Sequence, residues 1–256
     1  MKIAAIQHDI VWQTPQANFE HLAPMIASAA TGGALLVLLT EMYSTGFGIE
    51  TAAIAEPPGG PSTQFLCEQS NEHGCWIGAS VPEQPAADDD TALPHNTFVL
   101  AAPDGRVHRY HKIHPFSYAH EHEHFASGTE HVIVDVDGLR CALFVCYDLR
   151  FADEFWAVAP DVDAYLVPAN WPAARRNHWR SLLVARAIEN QAYVVGCNRV
   201  GETPAGLGYA GDSMVIDPLG EVLACAAHTE TVLIVDVDPN AVVNTRARYP
   251  FLRDRR

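Results

Sequence analysis

Three side chains stand where they can act together on a carbonyl group: a thiol at Cys146, a carboxylate at Glu41 and an ammonium at Lys112. Each comes at the end of a segment that reads as a strand. The apolar run 34–39 leads through Thr40 to Glu41, the stretch 106–112 ends at Lys112, and the run 139–145 delivers Cys146. Strand ends on one side of a sheet gather at one place, so the three can share a site. Amide cleavage by a thiol needs a nucleophile, a base for its proton and a positive group for the tetrahedral oxyanion. A free thiol, with a pKa of about 8.5, is only a few per cent ionised near neutral pH, so a glutamate base and a lysine cation supply what is missing. The polar segment 147–151 and the helix-like stretch 152–159 follow Cys146, so backbone N–H groups beyond the thiol can face an oxyanion. A carboxylate directly after a run as apolar as 34–39 is expected to be desolvated, with a raised pKa, and so a better proton acceptor.

Each residue also has a plainer role. Cysteines commonly pack in cores, loop acids are commonly solvated, and lysines at strand ends are commonly surface charges. The rival thiol mechanism is a Cys–His pair. Thirteen histidines supply partners, but no Cys-Gly-x-Cys-Trp-like signature surrounds any of the six cysteines. The five cysteines other than Cys146 (67, 75, 141, 197 and 225) read as packing residues.

The elements that must position these groups are legible as hydrophobic periods. Strands are expected at 2–7, 34–39, 76–81, 96–101, 106–112, 132–136, 139–145, 164–168, 193–198, 210–216, 221–226 and 231–237. Helical spacing appears at 18–30, through Phe19, Leu22, Met25 and Ile26. It appears again from about 178 to 191, with Trp179, Leu182, Leu183 and Ile188 as the apolar stripe. Another helix follows Gly59-Gly60-Pro61, with Ser62 or Thr63 as its cap, and Gly74 stops it. Pro103-Asp104-Gly105 and Asp137-Gly138 mark hairpins, and a short polar tail is expected after residue 237. Helices and hairpins form two similar groups, and the economical packing is two sheets face to face with helices outside. No stretch reads as a linker, so residues 1–256 are expected to form a single domain.

Composition excludes several classes. With 256 residues and 48% hydrophobic content the chain can bury one large core, and 18% charged residues argues against disorder. A net charge of −15 argues against a nucleic-acid binder or an anionic membrane surface. It leaves room for a small anionic substrate held in a local cationic pocket. No apolar run is long enough to span a bilayer, and the first residues enter a strand without a signal-peptide pattern, so a cytoplasmic protein is expected. No CxxC pair signals zinc or a disulfide framework. Two segments invite a metal reading. His120, His122 and His124 would share one face of an extended segment, and Asp88-Asp89-Asp90 lies in a proline-containing loop. Neither completes a defined ligand set. Gly206-Leu207-Gly208 is too short for a phosphate loop.

The chain resembles the nitrilase superfamily of carbon–nitrogen hydrolases over nearly its whole length. The resemblance lies in Leu38-Leu39-Thr40-Glu41-Met42-Tyr43-Ser44-Thr45-Gly46-Phe47, Tyr110-His111-Lys112-Ile113-His114-Pro115-Phe116 and Cys146-Tyr147-Asp148-Leu149-Arg150-Phe151. It returns in Pro168-Ala169-Asn170-Trp171-Pro172, Ala185-Arg186-Ala187-Ile188-Glu189-Asn190, Asn198-Arg199-Val200-Gly201 and Tyr249-Pro250-Phe251-Leu252-Arg253-Asp254. It implies a four-layer αββα sandwich, commonly paired as a homodimer, with no metal or organic cofactor. It also implies a mechanism in which Glu41 takes the Cys146 proton, the thiolate attacks an amide carbon, and Lys112 and the Tyr147 N–H hold the oxyanion. Ammonia leaves a thioester that water hydrolyses. A second family glutamate maps by its spacing to Gly128 onto Glu121, with Glu123 as the alternative, to orient Lys112 and the substrate amide.

Cys-Tyr-Asp at the nucleophile, the short loop around Glu121 and the Asn-Trp-Pro segment are most similar to omega-amidases. Their substrates are small ω-amido acids such as 2-oxoglutaramate. A deaminated-glutathione-type amidase, an N-carbamoyl amide hydrolase and a catalytically silent dimeric scaffold are the alternatives. Pro115 and Ala152 depart from the family pattern. Asn170 and Trp171 are expected to line the pocket, and Arg150, Arg175 or Arg176 to anchor a substrate carboxylate.

Overall fold

Strand alternation builds the core in two directions at once. In the strand Lys2–Gln7, Ile3 and Ala5 point one way and Ala4 and Ile6 the other, and in Ala34–Leu38 Leu36 and Leu38 oppose Val37. The first set packs against Leu143, Leu166 and Val195 of a second sheet. The second set packs against Leu22, Ile26, Phe65 and Leu66 of two outer helices. Both faces of these strands are dry apart from Leu35, which is exposed near the start of the second, and so they read as continuous apolar runs.

A computed structural model describes residues 1–85 and 92–255. Asp88-Asp89-Asp90 lies outside the described residues. The first sheet orders its strands Thr231–Asp236, Lys2–Gln7, Ala34–Leu38, Trp76–Glu83, His95–Ala101 and Val107–His111. The second runs Val200–Glu202, Gly208–Ile216, Tyr193–Asn198, Ala164–Ala169, Leu139–Leu143 and Ile133–Val136, with Val222–Ala227 paired to Gly208–Ile216. Each sheet has a parallel centre of three strands flanked by antiparallel partners. The helices Pro15–Thr31 and Pro61–His73 cover the first sheet, while Ala152–Val158 and Arg176–Asn190 cover the second. The two-sheet sandwich with helices outside is thus the fold, as expected. No helix among the described residues is long and apolar enough to cross a membrane.

Four local readings need correction. Ser62 does not cap the helix Pro61–His73. The Glu56 carboxylate accepts from the Ser62 N–H at 2.8 Å and from the Ser62 hydroxyl at 2.7 Å, which places an anion at the helix's positive end. Ile188 is 52% exposed. The buried face of Arg176–Asn190 runs through Trp179, Leu183 and Ala187 at four-residue steps, and Ile188 is rotated off it. The polar tail contains the helix Pro239–Arg248, capped by Asp238, whose side chain accepts from the Asn240 N–H. Arg246 ties it down by donating to the carbonyls of Ala159, Val162, Asn190 and Gln191. Among the cysteines read as packing residues, Cys225 is exposed and Cys67 only half-buried.

Chain direction decides where function collects. Ala34–Leu38 is parallel to Trp76–Glu83, and two antiparallel reversals later Val107–His111 points the same way. Glu41 and Lys112 thus leave strands at the same end of the first sheet. Leu139–Leu143 and Ala164–Ala169, parallel in the second sheet, release Cys146 and Asn170 at the same end.

Trp179 is fully buried beneath the second sheet and donates its indole N–H to the Asp212 carbonyl at 2.8 Å. Trp179→Ala is expected to lower unfolding free energy by about 3–5 kcal/mol, read as a fall in the urea midpoint with little change in slope.

Candidate active site

The Lys112 ammonium sits between two carboxylates with almost no access to water. Its Nζ lies 3.0 Å from Glu41 Oε1 and 2.9 Å from Glu121 Oε2, and all three side chains are buried. Burial alone would push the amine's pKa down, but Glu121 and Glu41 outweigh it and hold Lys112 above the ordinary lysine value. Asn96 spans the pair of acids, its Nδ2 donating to Glu41 at 2.9 Å and to Glu121 at 3.0 Å. Its own Oδ1 accepts from Ser80, whose Oγ accepts in turn from the Met42 N–H. The Phe116 N–H donates to Glu121 Oε2. From the second sheet, the Asn170 N–H donates to Glu41 Oε2 at 2.8 Å, and Asn170 Nδ2 donates to the Glu41 carbonyl at 2.6 Å.

Cys146 completes the cluster. Its φ of 46° places a non-glycine residue in the left-handed region, at the first position of a 3₁₀ turn over Cys146–Arg150. Such a conformation persists only where its surroundings over-determine it. Here Asp148 does so. Its Oδ2 accepts from the Val145 N–H at 2.9 Å and from the Tyr110 hydroxyl at 2.8 Å, and its Oδ1 accepts from the His114 N–H at 2.9 Å. One carboxylate therefore fixes the thiol's turn to the segment that follows Lys112. Burial pushes the Cys146 thiol's pKa well up, the Glu41 carboxylate adds to the rise, and Lys112 opposes it.

The thiol opens into a cleft of about 190 Å3 whose walls include Phe47, Phe116, Leu207 and Tyr209. A small second lobe, about 20 Å3, is lined by Tyr147, Arg150 and Trp171. Cys146, Asn170 and Arg175 border both lobes. The Arg150 guanidinium lies 4.7 Å from the Trp171 ring centroid, and that of Arg175 lies 5.5 Å from the Phe116 ring. Neither arginine makes an ion pair among the described residues. Arg176 is committed elsewhere, bound through Nε and Nη2 to Asp212 at 2.8 Å each.

Of the sequence-derived set, Glu41, Lys112, Cys146, Tyr147, Asn170, Trp171 and Arg150 line the two lobes of the cleft, and Glu121 lies buried against Lys112. Between the two alternative glutamates, Glu121 reaches Lys112, while Glu123 is exposed and pairs with His120. The histidine reading fails on geometry. His120 has a φ of 60° and Glu121–His124 is a helical turn, so the alternating histidines share no extended face. No group of three or more His, Cys, Asp or Glu side chains able to hold a metal gathers among the described residues. Sequence reasoning missed Asn96 and Tyr209 as parts of the site, and it carried Phe47 and Asp148 only as letters of motifs, without a role.

Residues 2–247 match the family model described as carbon-nitrogen hydrolase. The chain belongs to the carbon-nitrogen hydrolase family. Omega-amidase YafV of Escherichia coli (strain K12) is 38% identical over 258 residues, covering 99% of this chain and 96% of that protein. The 2-oxoglutaramate amidase of Bacillus subtilis (strain 168) is 31% identical, with 98% and 96% covered. The crystal structure of XC1258, a CN-hydrolase superfamily protein from Xanthomonas campestris with an arsenic adduct in its active site, superposes with a TM-score of 0.93. It shares 34% identity and covers 100% of this chain and 97% of its own. This carbon-nitrogen hydrolase is an enzyme acting on amides.

Asp148 carries a pH signature. Burial raises its carboxyl from the usual 3.8 to about 6, against the pull of Lys112 and of its three donors. The folded form then binds this proton more tightly than the unfolded one. Stability contributed at Asp148 is full below about pH 4, falls as pH rises to about 6, and is constant above. The stability of the parent enzyme relative to Asp148→Asn is expected to drop across that window by about 3 kcal/mol, as followed by urea unfolding at a series of pH values.

Proposed function

We propose that this hydrolase removes the terminal amide of a small ω-amido carboxylic acid, of the 2-oxoglutaramate or succinamate kind, giving the acid and ammonia through a Cys146 thioester. The observation that carries the reading is the buried contact of Glu41, Lys112 and Glu121 at the thiol, with a cation-bordered cleft above it.

Glu41, whose negative charge helps hold the thiol's pKa up, accepts its proton as sulfur attacks the amide carbon. Lys112, beside the sulfur, steadies the thiolate, and with the Tyr147 N–H it holds the oxyanion. Glu121 keeps the lysine charged and aimed. The proton on Glu41 passes to the leaving nitrogen, and ammonia departs. Glu41 then deprotonates the water that hydrolyses the thioester. The cleft is smaller than the roughly 300–1,000 Å3 typical of drug-sized ligand sites, which suits a short chain. Arg175 borders both lobes and Arg150 the smaller one, so a carboxylate at the far end of a short amide meets a guanidinium. The curated relatives named as omega-amidase and 2-oxoglutaramate amidase support this substrate class.

Ammonia release from 2-oxoglutaramate and succinamate is the direct assay. Cys146→Ala is expected to lower it by about three orders of magnitude or more. Equal activity in the variant would remove Cys146 from the nucleophile's role, and a parent enzyme silent on both amides would sink the substrate assignment. Arg175→Ala is expected to raise KM for succinamate roughly tenfold or more while changing KM for neutral butyramide little. Matching increases for both would place the carboxylate elsewhere.

A further inference from the structure

The acceptors around the thiol are nearly all occupied. Glu121 receives Lys112 on both oxygens, Asn96 Nδ2 on Oε1 and the Phe116 N–H on Oε2. That fills the four lone-pair positions of a carboxylate. Glu41 receives Lys112 and Asn96 on Oε1 and the Asn170 N–H on Oε2, and it also meets the thiol. A primary amide entering this site brings a carbonyl oxygen, for which Lys112 is a donor, and two N–H groups that need acceptors.

Asn170 has one. Its N–H and Nδ2 are both spent on Glu41, and the 2.6 Å contact from Nδ2 to the Glu41 carbonyl fixes which end of the side chain is nitrogen. Its Oδ1 is buried without a hydrogen-bond partner, in a residue only 6% exposed that borders both lobes of the cleft together with Cys146. A buried carbonyl oxygen left unpaired is rare and unfavourable, and a ligand N–H relieves it.

We propose that Asn170 Oδ1 accepts an N–H of the substrate carboxamide and so selects a primary amide over an ester of the same acid. The inference rests on the amidase reading above and adds the group that recognises the nitrogen. An ester brings no N–H, so Oδ1 stays unpaired against the ester's own lone pairs. Sites built to hydrogen-bond a substrate group discriminate strongly against analogues that lack it.

Succinamate and monomethyl succinate form the matched pair. Both acylate Cys146 to the same succinyl thioester, one expelling ammonia and the other methanol, and kcat/KM reports only the steps up to acylation. Asn170→Ala is expected to lower kcat/KM for succinamate roughly tenfold more than for the ester, the size of one hydrogen bond. Asn170→Leu, which keeps the volume, carries the same comparison if the alanine variant does not fold. Asn170→Asp separates recognition from bracing, because it keeps an oxygen acceptor but loses the donor to the Glu41 carbonyl. It is expected to recover part of the amide preference. Equal fractional losses on amide and ester, or an aspartate variant as poor on the amide as the alanine one, would overturn the inference while leaving the amidase reading intact. A parent enzyme inactive on both substrates would sink the amidase reading and this inference with it.

Discussion

A fully buried ammonium held between two carboxylates is the constraint on which the rest of the site depends. Taking such charges out of water is expensive, and their attraction repays it only if the geometry is good and the remaining lone pairs are satisfied. The satisfaction is visible in this enzyme. Asn96, Phe116 and Asn170 donate to the two acids from three separate segments. The cluster has one cation and two anions, and the donors offset the excess negative charge. Removing one member would leave the others buried and uncompensated, so these contacts also bind together the strand ends that supply them.

The same arrangement explains how a thiol can be both quiet and ready. Burial and the neighbouring carboxylate keep Cys146 protonated at rest. Moving its proton to Glu41 leaves the site's total charge unchanged. The negative charge shifts from one neighbour of Lys112 to another, and the lysine attracts it in both places. In the proposed mechanism, a transfer that would be costly for an isolated buried thiol becomes a short exchange inside a preorganised field. The strained backbone at Cys146 belongs to the same design, because the Asp148 carboxylate that stabilises the turn also grips the segment after Lys112.

What was legible in the sequence follows from the range of the interactions. Glu41, Lys112 and Cys146 stood out because each ends a strand, and that signal is local. Asn96 and Tyr209 gave none. Asn96 reaches Glu41 across 55 positions, and Tyr209 meets the cleft only because the second sheet brings it back. Asp148 was visible only as one letter of the nucleophile motif, since its partners Tyr110 and His114 lie 38 and 34 positions away. The helix Pro239–Arg248 was missed although Asp238-Pro239 carries a proper start signal, because its short, polar sequence hid the apolar face that Val242 provides. Ile188 shows the resolution of helical periodicity: one position beyond Ala187 turns a side chain by about 100°, from core to water.

The division of labour between the sheets bears on how such a site tolerates change. Glu41 and Lys112 leave the first sheet, and Cys146 and Asn170 leave the second. Direct ties between the two pairs near the thiol run through Asn170 to Glu41, and from Asp148 to Tyr110 and to the segment after Lys112. A small slide of one sheet over the other would leave each half intact and still separate Glu41 from Cys146, and displacements near 1 Å are costly at reacting centres. The dry interface built from Ile3, Leu36, Leu38, Leu143, Leu166 and Val195 resists that slide, since close-packed side chains interlock and shift only in discrete steps. Core packing far from the thiol therefore sets the precision of the chemistry. The hydrogen bonds across the seam then act as the final adjustment to an alignment already made by the apolar residues.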